Sequence, residues 1–300
     1  MSEQLAPANG IEIAYQTFGE RSDPALLLVM GLGAQLIHWP EEFCEVLASR
    51  GFYVARFDNR DVGHSTKLEN APVPDLMALA AGNAGDAAYT LDDMADDAVG
   101  LLDHLEIEAA HVVGASMGGM IAQTLAIRHP QRVLSVCSIM STTGDRTVGQ
   151  ARQEALAVLM TPVPQTRDAY IEFHINAFKA IGSPGFQFDE EFLRWRAGAT
   201  YDRSVYPAGF KRQLAAIIAS GDRTSKLGQI SAPAVVIHGS DDPLITVSGG
   251  EATARAIPGA ELVVIQGMGH DLPKGAWPQI VDAIAANAER ARAVAGETAG

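Results

Sequence analysis

The hydrophobic pattern switches back and forth between two periods along the first half of the chain. Ile11 to Phe18 reads as a β-strand ending at Gly19. Ala25 to Met30 (ALLLVM) is an unbroken apolar run closed by Gly31, the pattern of a strand buried on both faces. Phe43 to Arg50 is helix-like and stops at Gly51. Phe52 to Phe57 is again strand-like and ends in Asp58-Asn59-Arg60-Asp61. Thr90, with Asp93 three residues on, predicts a helix start of the capping-box type. Leu91, Met94, Ala95, Ala98, Leu101, Leu102 and Leu105 then recur at helical spacing. Ala110 to Gly114 predicts a short strand, Met117 to Arg128 a helix closed by His129-Pro130, and Val133 to Met140 another strand. Later, Ala234 to His238 and Leu262 to Ile265 predict two more strands, with a helix around Gly250 to Ala256 between them. Trp277-Pro278 opens a last helix, since proline suits the first helical position, and the tail from about Arg292 is expected to fray. Strands alternating with helices predict an α/β fold with a mostly parallel, doubly wound sheet covered on both faces.

One region breaks the alternation. From about Gly144 to Leu227 the pattern is helical, interrupted by Pro162, Pro164, Pro184 and Pro207. Residues 170 to 210 hold ten of the chain's nineteen aromatic residues. This predicts a helical cap, residues 144–227, inserted into a core of residues 1–143 and 228–300. Aromatics of a small lid serve its own packing, or line an apolar pocket beneath it. Phe173 and Tyr206 are candidates for the second role.

Composition narrows the partners. A chain of 300 residues buries enough surface to fold without a disulfide or a structural metal. Its formal charge of −14 argues against nucleic acid, whose binding rests on neutralising phosphates with Lys and Arg. No basic cluster suits an anionic membrane, and no apolar stretch reaches the length of about 18 residues that a membrane span needs. Cys44 and Cys137 make neither a disulfide framework nor a zinc site and read as free buried thiols. The N-terminal MSEQLAPANG lacks the pattern of a secretory signal, so a cytoplasmic location is expected. The oligomeric state is not legible.

Three stretches carry candidate chemistry. Gly114-Ala115-Ser116-Met117-Gly118 is a G-x-S-x-G, weak as a pattern but set between an apolar strand and a helix. A serine on so sharp a turn projects its hydroxyl from the sheet edge, with a helix N-terminus facing developing negative charge. A nucleophilic serine needs a base, and the base an orienting acid. Gly267-Met268-Gly269-His270 follows one strand, and His238-Gly239-Ser240-Asp241-Asp242-Pro243 follows another. The order Ser, Asp, His is that of a triad mounted on a doubly wound sheet, and all three sites fall after strands, where such sheets place their crevice. The other seven histidines read as surface or packed residues. An oxyanion needs donors. The backbone N–H of Met117 is one candidate, and the N–H of Leu32, in the Gly31-Leu32-Gly33-Ala34 turn, is the other. No dinucleotide fingerprint, P-loop or H-E-x-x-H occurs, so neither cofactor nor metal is expected.

Together these residues resemble the α/β-hydrolase superfamily, in its serine esterase branch, over almost the whole chain. Asp58-Asn59-Arg60-Asp61-Val62-Gly63-His64-Ser65 resembles the superfamily's D-x-R-G-x-G-x-S segment. LLLVMGLGAQ, FDNRDVGHSTK, YTLDDMADDAVGLLDHL, GASMGGMIAQ and GMGHDLP resemble actinobacterial carboxylesterases of the mycobacterial Lip series and aclacinomycin methylesterases. The resemblance implies Ser116 as nucleophile, Asp242 rather than Asp241 as acid and His270 as base. Met30 stands where many members have His, and Asp61 where most have Gly. The stretch from Lys67 to Ala88 is longer than the superfamily's usual connection; it either edges the pocket mouth or is a solvent loop.

The resulting expectation is a hydrolase that cleaves small to medium apolar carboxylic esters through an acyl-enzyme. The same triad would also serve a cofactor-free perhydrolase or haloperoxidase, an enol-lactonase or a thioesterase. A non-catalytic ligand-binding homologue is the alternative of another class, which an intact triad disfavours.

Overall fold

The computed structural model describes residues 2–298, and side chains as far as residue 293. Eight strands among the described residues form one sheet: β1 (Gln4–Ala8), β2 (Ile11–Phe18), β3 (Ala25–Val29), β4 (Tyr53–Phe57), β5 (Ala110–Ala115), β6 (Val133–Ile139), β7 (Ala234–Gly239) and β8 (Glu261–Ile265). Their order is β1-β2-β4-β3-β5-β6-β7-β8. β1, β2 and β4 pair antiparallel, and every pairing from β4 through β3 to β8 is parallel. The helices are α1 (Glu41–Ser49), α2 (Leu76–Ala80), α3 (Leu91–His104), α4 (Met117–Arg128), α5 (Gln153–Met160), α6 (Arg167–Ile181), α7 (Glu190–Arg203), α8 (Pro207–Ser220), α9 (Thr224–Leu227), α10 (Ser248–Ala256) and α11 (Trp277–Thr298).

The period of each segment explains its place. Every residue of β5 and β7 is buried, as continuous apolar runs require in a sheet covered on both faces. α3 buries Leu91, Met94, Ala95, Ala98, Leu101 and Leu102, the stripe its spacing predicts, and the Thr90–Asp93 capping box closes its first turn. Two apolar clusters flank the sheet. One joins it to α3 and α4, the other to α1 and α11. α4 is buried over most of its length, because it lies between the sheet and α3, with α9 also against it.

Two elements escaped the hydrophobic pattern. β1 pairs with β2 through Asn9-Gly10, both at positive φ, the chemistry of a tight hairpin. α2 falls inside the long connection, capped by the Asp75 carboxylate accepting from the Ala78 N–H at 2.9 Å. α11 runs on to Thr298, past Arg292 where fraying is expected; Ala299 and Gly300 lie outside the described residues.

Helices α5 to α9 fill the segment between β6 and β7 as a helical cap. The cap is bound to the core by charge. Asp61, at φ 69°, accepts from Arg212 of α8 through both carboxylate oxygens (2.8 and 2.9 Å), from the Tyr89 hydroxyl (2.9 Å) and from the Leu68 N–H (2.8 Å). Both side chains of the pair are fully buried. Arg203 of α7 pairs with Asp58 at 2.9 Å, and Gln35 donates to the carbonyls of Thr200 and Ser204. Ala216 and Leu227 reach into the main core, so the last part of the segment is a foundation as well as a cover. Among the described residues no helix is long and apolar enough to cross a membrane.

Candidate active site

β5 ends one residue before Ser116, and α4 begins one residue after it. Ser116 therefore sits on a sharp strand-to-helix turn, at φ 56°, ψ −119°, where a side chain is strained. The flanking glycines are dictated by packing. A Cβ at Gly114 would collide with the Gly118 carbonyl, and a Cβ at Gly118 with the Val29 carbonyl. Neighbours hold the strained residue. Its N–H donates to the Ile139 carbonyl at 2.9 Å, and the Ser141 hydroxyl donates to its carbonyl at 2.8 Å.

The loops after β7 and β8 bring the other two residues to this turn. His270 Nε2 lies 3.0 Å from Ser116 Oγ, and His270 Nδ1 lies 2.7 Å from Asp242 Oδ2. Asp242 is 1% exposed and His270 8%, so little water competes for either contact. Asp242 Oδ1 accepts the N–H groups of Leu244 (2.8 Å) and Ile245 (2.9 Å), which leaves Oδ2 for the imidazole. Asp241 instead accepts from the Ser240 hydroxyl at 2.6 Å. The three residues singled out in the sequence thus form one hydrogen-bonded line.

The Gly31–Ala34 turn faces the same spot. A Cβ at Gly31 would come 3.1 Å from the Ser116 Cβ. Among the described residues, no protein acceptor takes the N–H of Leu32 or of Met117. Support for this turn comes from residues that the sequence reading missed. Gln213 of α8 accepts the Gly33 N–H at 2.8 Å and donates to the Arg60 carbonyl at 2.8 Å. Asn59 donates to the Met30 carbonyl at 2.9 Å, so the backbone carries the fixing contact at the position where a His is usual. Asn59 belongs to a quoted motif and was within reach; Gln213 carries no local signal.

The cap also touches the loop that carries His270. The His270 N–H donates to the Ile181 carbonyl (2.7 Å), the Gly269 N–H to the Ser183 hydroxyl (2.8 Å) and the Gly185 N–H to the Gly267 carbonyl (2.9 Å). Ser183 in turn donates to Asp271. Burial pushes the Asp271 carboxyl up, more than Ser183 and the nearby Arg196 and His270 pull it down.

The two nominated cap aromatics each make a defined contact. The Tyr206 hydroxyl accepts from Arg212 at 3.0 Å, in the Asp61 network. Phe173 packs edge-on against His174, with ring centroids 5.4 Å apart. Burial pushes the His174 imidazole down to about 4, so it is neutral at ordinary pH. Of the seven histidines set aside in the sequence, His238 is fully buried and lies 3.6 Å from Asp242.

A serine, histidine and carboxylate in line, on the C-terminal edge of a mostly parallel sheet, define a hydrolase-type nucleophile site. The family model for the α/β hydrolase fold matches residues 24–274, and the chain belongs to that family. It is similar to a rhodomycin D methylesterase from a Streptomyces species, 28% identical over 97% of this chain and 99% of the relative. It is also similar to 3-oxoadipate enol-lactonase 2 of Acinetobacter baylyi, 28% identical over 86% of each chain. The fold matches the crystal structure of an enol-lactonase from Burkholderia xenovorans with a TM-score of 0.72, at 23% identity, over 97% of this chain and 100% of the other.

Proposed function

We propose that the chain is a serine carboxylester hydrolase working through an acyl-enzyme. The observation that carries this reading is the line from Asp242 Oδ2 to His270 (2.7 Å) and on to Ser116 Oγ (3.0 Å). Ser116 attacks the ester carbonyl as His270 Nε2 takes its proton. Asp242 keeps the Nδ1–H in place and stabilises the imidazolium. The N–H groups of Leu32 and Met117 receive the oxyanion. His270 then gives its proton to the departing alkoxide. Water, deprotonated by His270, attacks the acyl group, and the acid leaves with Ser116 restored.

The substrate in this reading is a small-molecule ester with an apolar part. The cap of residues 144–227 covers the site, and residues 1–143 and 228–300 form the core. The two buried free thiols suit a reducing compartment, and a cytoplasmic location is part of the proposal. Likeness to the methylesterase favours an open-chain ester. Likeness to the enol-lactonase supports a second reading, in which the cleaved ester is cyclic and the same steps open a ring.

A fluorophosphonate probe and a series of p-nitrophenyl esters test the proposal. The parent protein should be labelled at Ser116 and turn over the esters. Ser116→Ala should lose labelling, and at least about 10⁴-fold in kcat. Equal labelling and turnover by the variant would overturn the reading. Ring opening of an enol-lactone at a higher kcat/KM than any p-nitrophenyl ester would select the second reading.

A further inference from the structure

The imidazole of His238 is a buried titratable group that the ester chemistry does not use. It is the penultimate residue of β7, four residues before Asp242, and its side chain is fully buried. Nε2 lies 2.7 Å from the Ile245 carbonyl oxygen. It also lies 3.6 Å from Asp242 Oδ2, the oxygen that faces His270 Nδ1. A carbonyl oxygen only accepts, so Nε2 carries a proton, and in the neutral ring Nδ1 is then bare. Nδ1 is buried and has no hydrogen-bond partner among the described residues. It faces α10 at Gly250, where an added Cβ would collide with it. Burial pushes this imidazole's pKa down, against the upward pull of the Ile245 carbonyl and Asp242, which favours the neutral ring.

Ile245 links this ring to the acid. Its N–H donates to Asp242 Oδ1 at 2.9 Å while its carbonyl accepts from His238. The peptide that fixes one carboxylate oxygen is therefore itself fixed by the second imidazole. We propose that His238 is a positioning residue for the triad acid: its Nε2–H holds the Ile245 end of the turn and so keeps Asp242 Oδ2 turned to His270. The N–H edge beside Oδ2, too long for a full hydrogen bond, leaves that oxygen's strong contact to His270. Gly250 keeps the room this ring needs. A ring that only filled space would need no donor at Nε2, and this difference is what the variants read.

The proposal rests on the triad reading above. Steady-state kinetics on p-nitrophenyl butyrate test it with His238→Phe, which keeps a ring without a donor, and His238→Gln, which restores an N–H. His238→Phe should lose about tenfold in kcat, the upper end of the range for a neutral hydrogen bond, with KM within about threefold. His238→Gln should recover to within about fivefold of the parent. Parental kcat in His238→Phe, or equal losses in both variants, would overturn the proposal. Proton NMR gives a second readout at neutral pH: the far-downfield signal of the His270 Nδ1–H should shift or broaden in His238→Phe and persist in His238→Gln. An unchanged signal in His238→Phe would also overturn it. Should His238→Phe not fold, Gly250→Ala displaces the same ring, and parental kcat there would count against the role. A parent protein that neither labels nor hydrolyses esters would sink the triad reading instead, a distinguishable failure.

Discussion

Replacing Asp242 by Asn tests how the acid works. The two carboxylate oxygens are not equivalent. Oδ1 accepts two backbone N–H groups, from Leu244 and Ile245, and Oδ2 faces His270 Nδ1. An asparagine has one oxygen, and the two N–H donors claim it. The NH₂ group then points at His270 Nδ1, which must accept, so the proton moves to Nε2. That tautomer cannot take the Ser116 proton. Loss of one charge-assisted hydrogen bond is worth about 1.5–3 kcal/mol, or roughly 10- to 100-fold in rate. A wrong tautomer costs about 10⁴-fold in kcat, near 5 kcal/mol. The oxygen-by-oxygen partners choose the larger figure. The assay is p-nitrophenyl butyrate hydrolysis near neutral pH, with a thermal melt alongside. Because the backbone donors stay satisfied, stability should change by no more than about 1 kcal/mol, or roughly 2–4 °C. A folded Asp242→Asn protein within 100-fold of parental kcat would refute the tautomer argument.

Three further outcomes are expected. Gln213→Leu leaves the Gly33 N–H and the Arg60 carbonyl unpaired, at about 1–3 kcal/mol each in denaturant unfolding. It should also lower kcat by about tenfold, short of the 10²–10³-fold for deleting an oxyanion donor, with KM nearly constant. Arg212→Met strands a buried carboxylate at Asp61 and should cost about 3–5 kcal/mol, while adding Asp61→Gly should recover part of it in a double-mutant cycle. The third outcome concerns pH. Burial pushes the His111 imidazole down to about 4, so the folded state binds fewer protons than the unfolded one between that value and the ordinary His range. Its contribution is full above about pH 6.5 and is lost as pH falls toward 4. His111→Gln should flatten the acid limb of unfolding free energy by up to roughly 3 kcal/mol, and an unchanged slope would contradict this.

Ser116, Asp242 and His270 stood out as candidates because each follows an apolar run, and these runs form β5, β7 and β8. The Gly31–Ala34 turn stood out as the candidate oxyanion turn for the same reason, since it follows β3. The hairpin of β1 and β2 was signalled by Asn9-Gly10, but Pro7 and the shortness of β1 hid the edge strand. What supports the site was not readable. Gln213 meets Gly33 across 180 residues of sequence, and no local period marks such a contact. Asp61 stood out only as a departure from a familiar pattern; that it answers Arg212 depends on where α8 lands. His238 looked like one packed histidine among several, because closeness to Asp242 in sequence does not reveal which way a ring turns.

The hydrogen bonds between residues 181–185 and 267–270 bear on how this chain can be re-engineered. A lid is commonly treated as an exchangeable module, chosen for the shape of its inner wall. In this chain the backbone of residues 181–185 also holds the loop that carries His270, the proposed base. A graft cut at the ends of the helical segment would carry a foreign anchor to His270 along with the foreign wall. Under the proposed function, substrate range and the setting of His270 are therefore coupled traits, and a chimera should exchange the 267–270 loop together with residues 144–227.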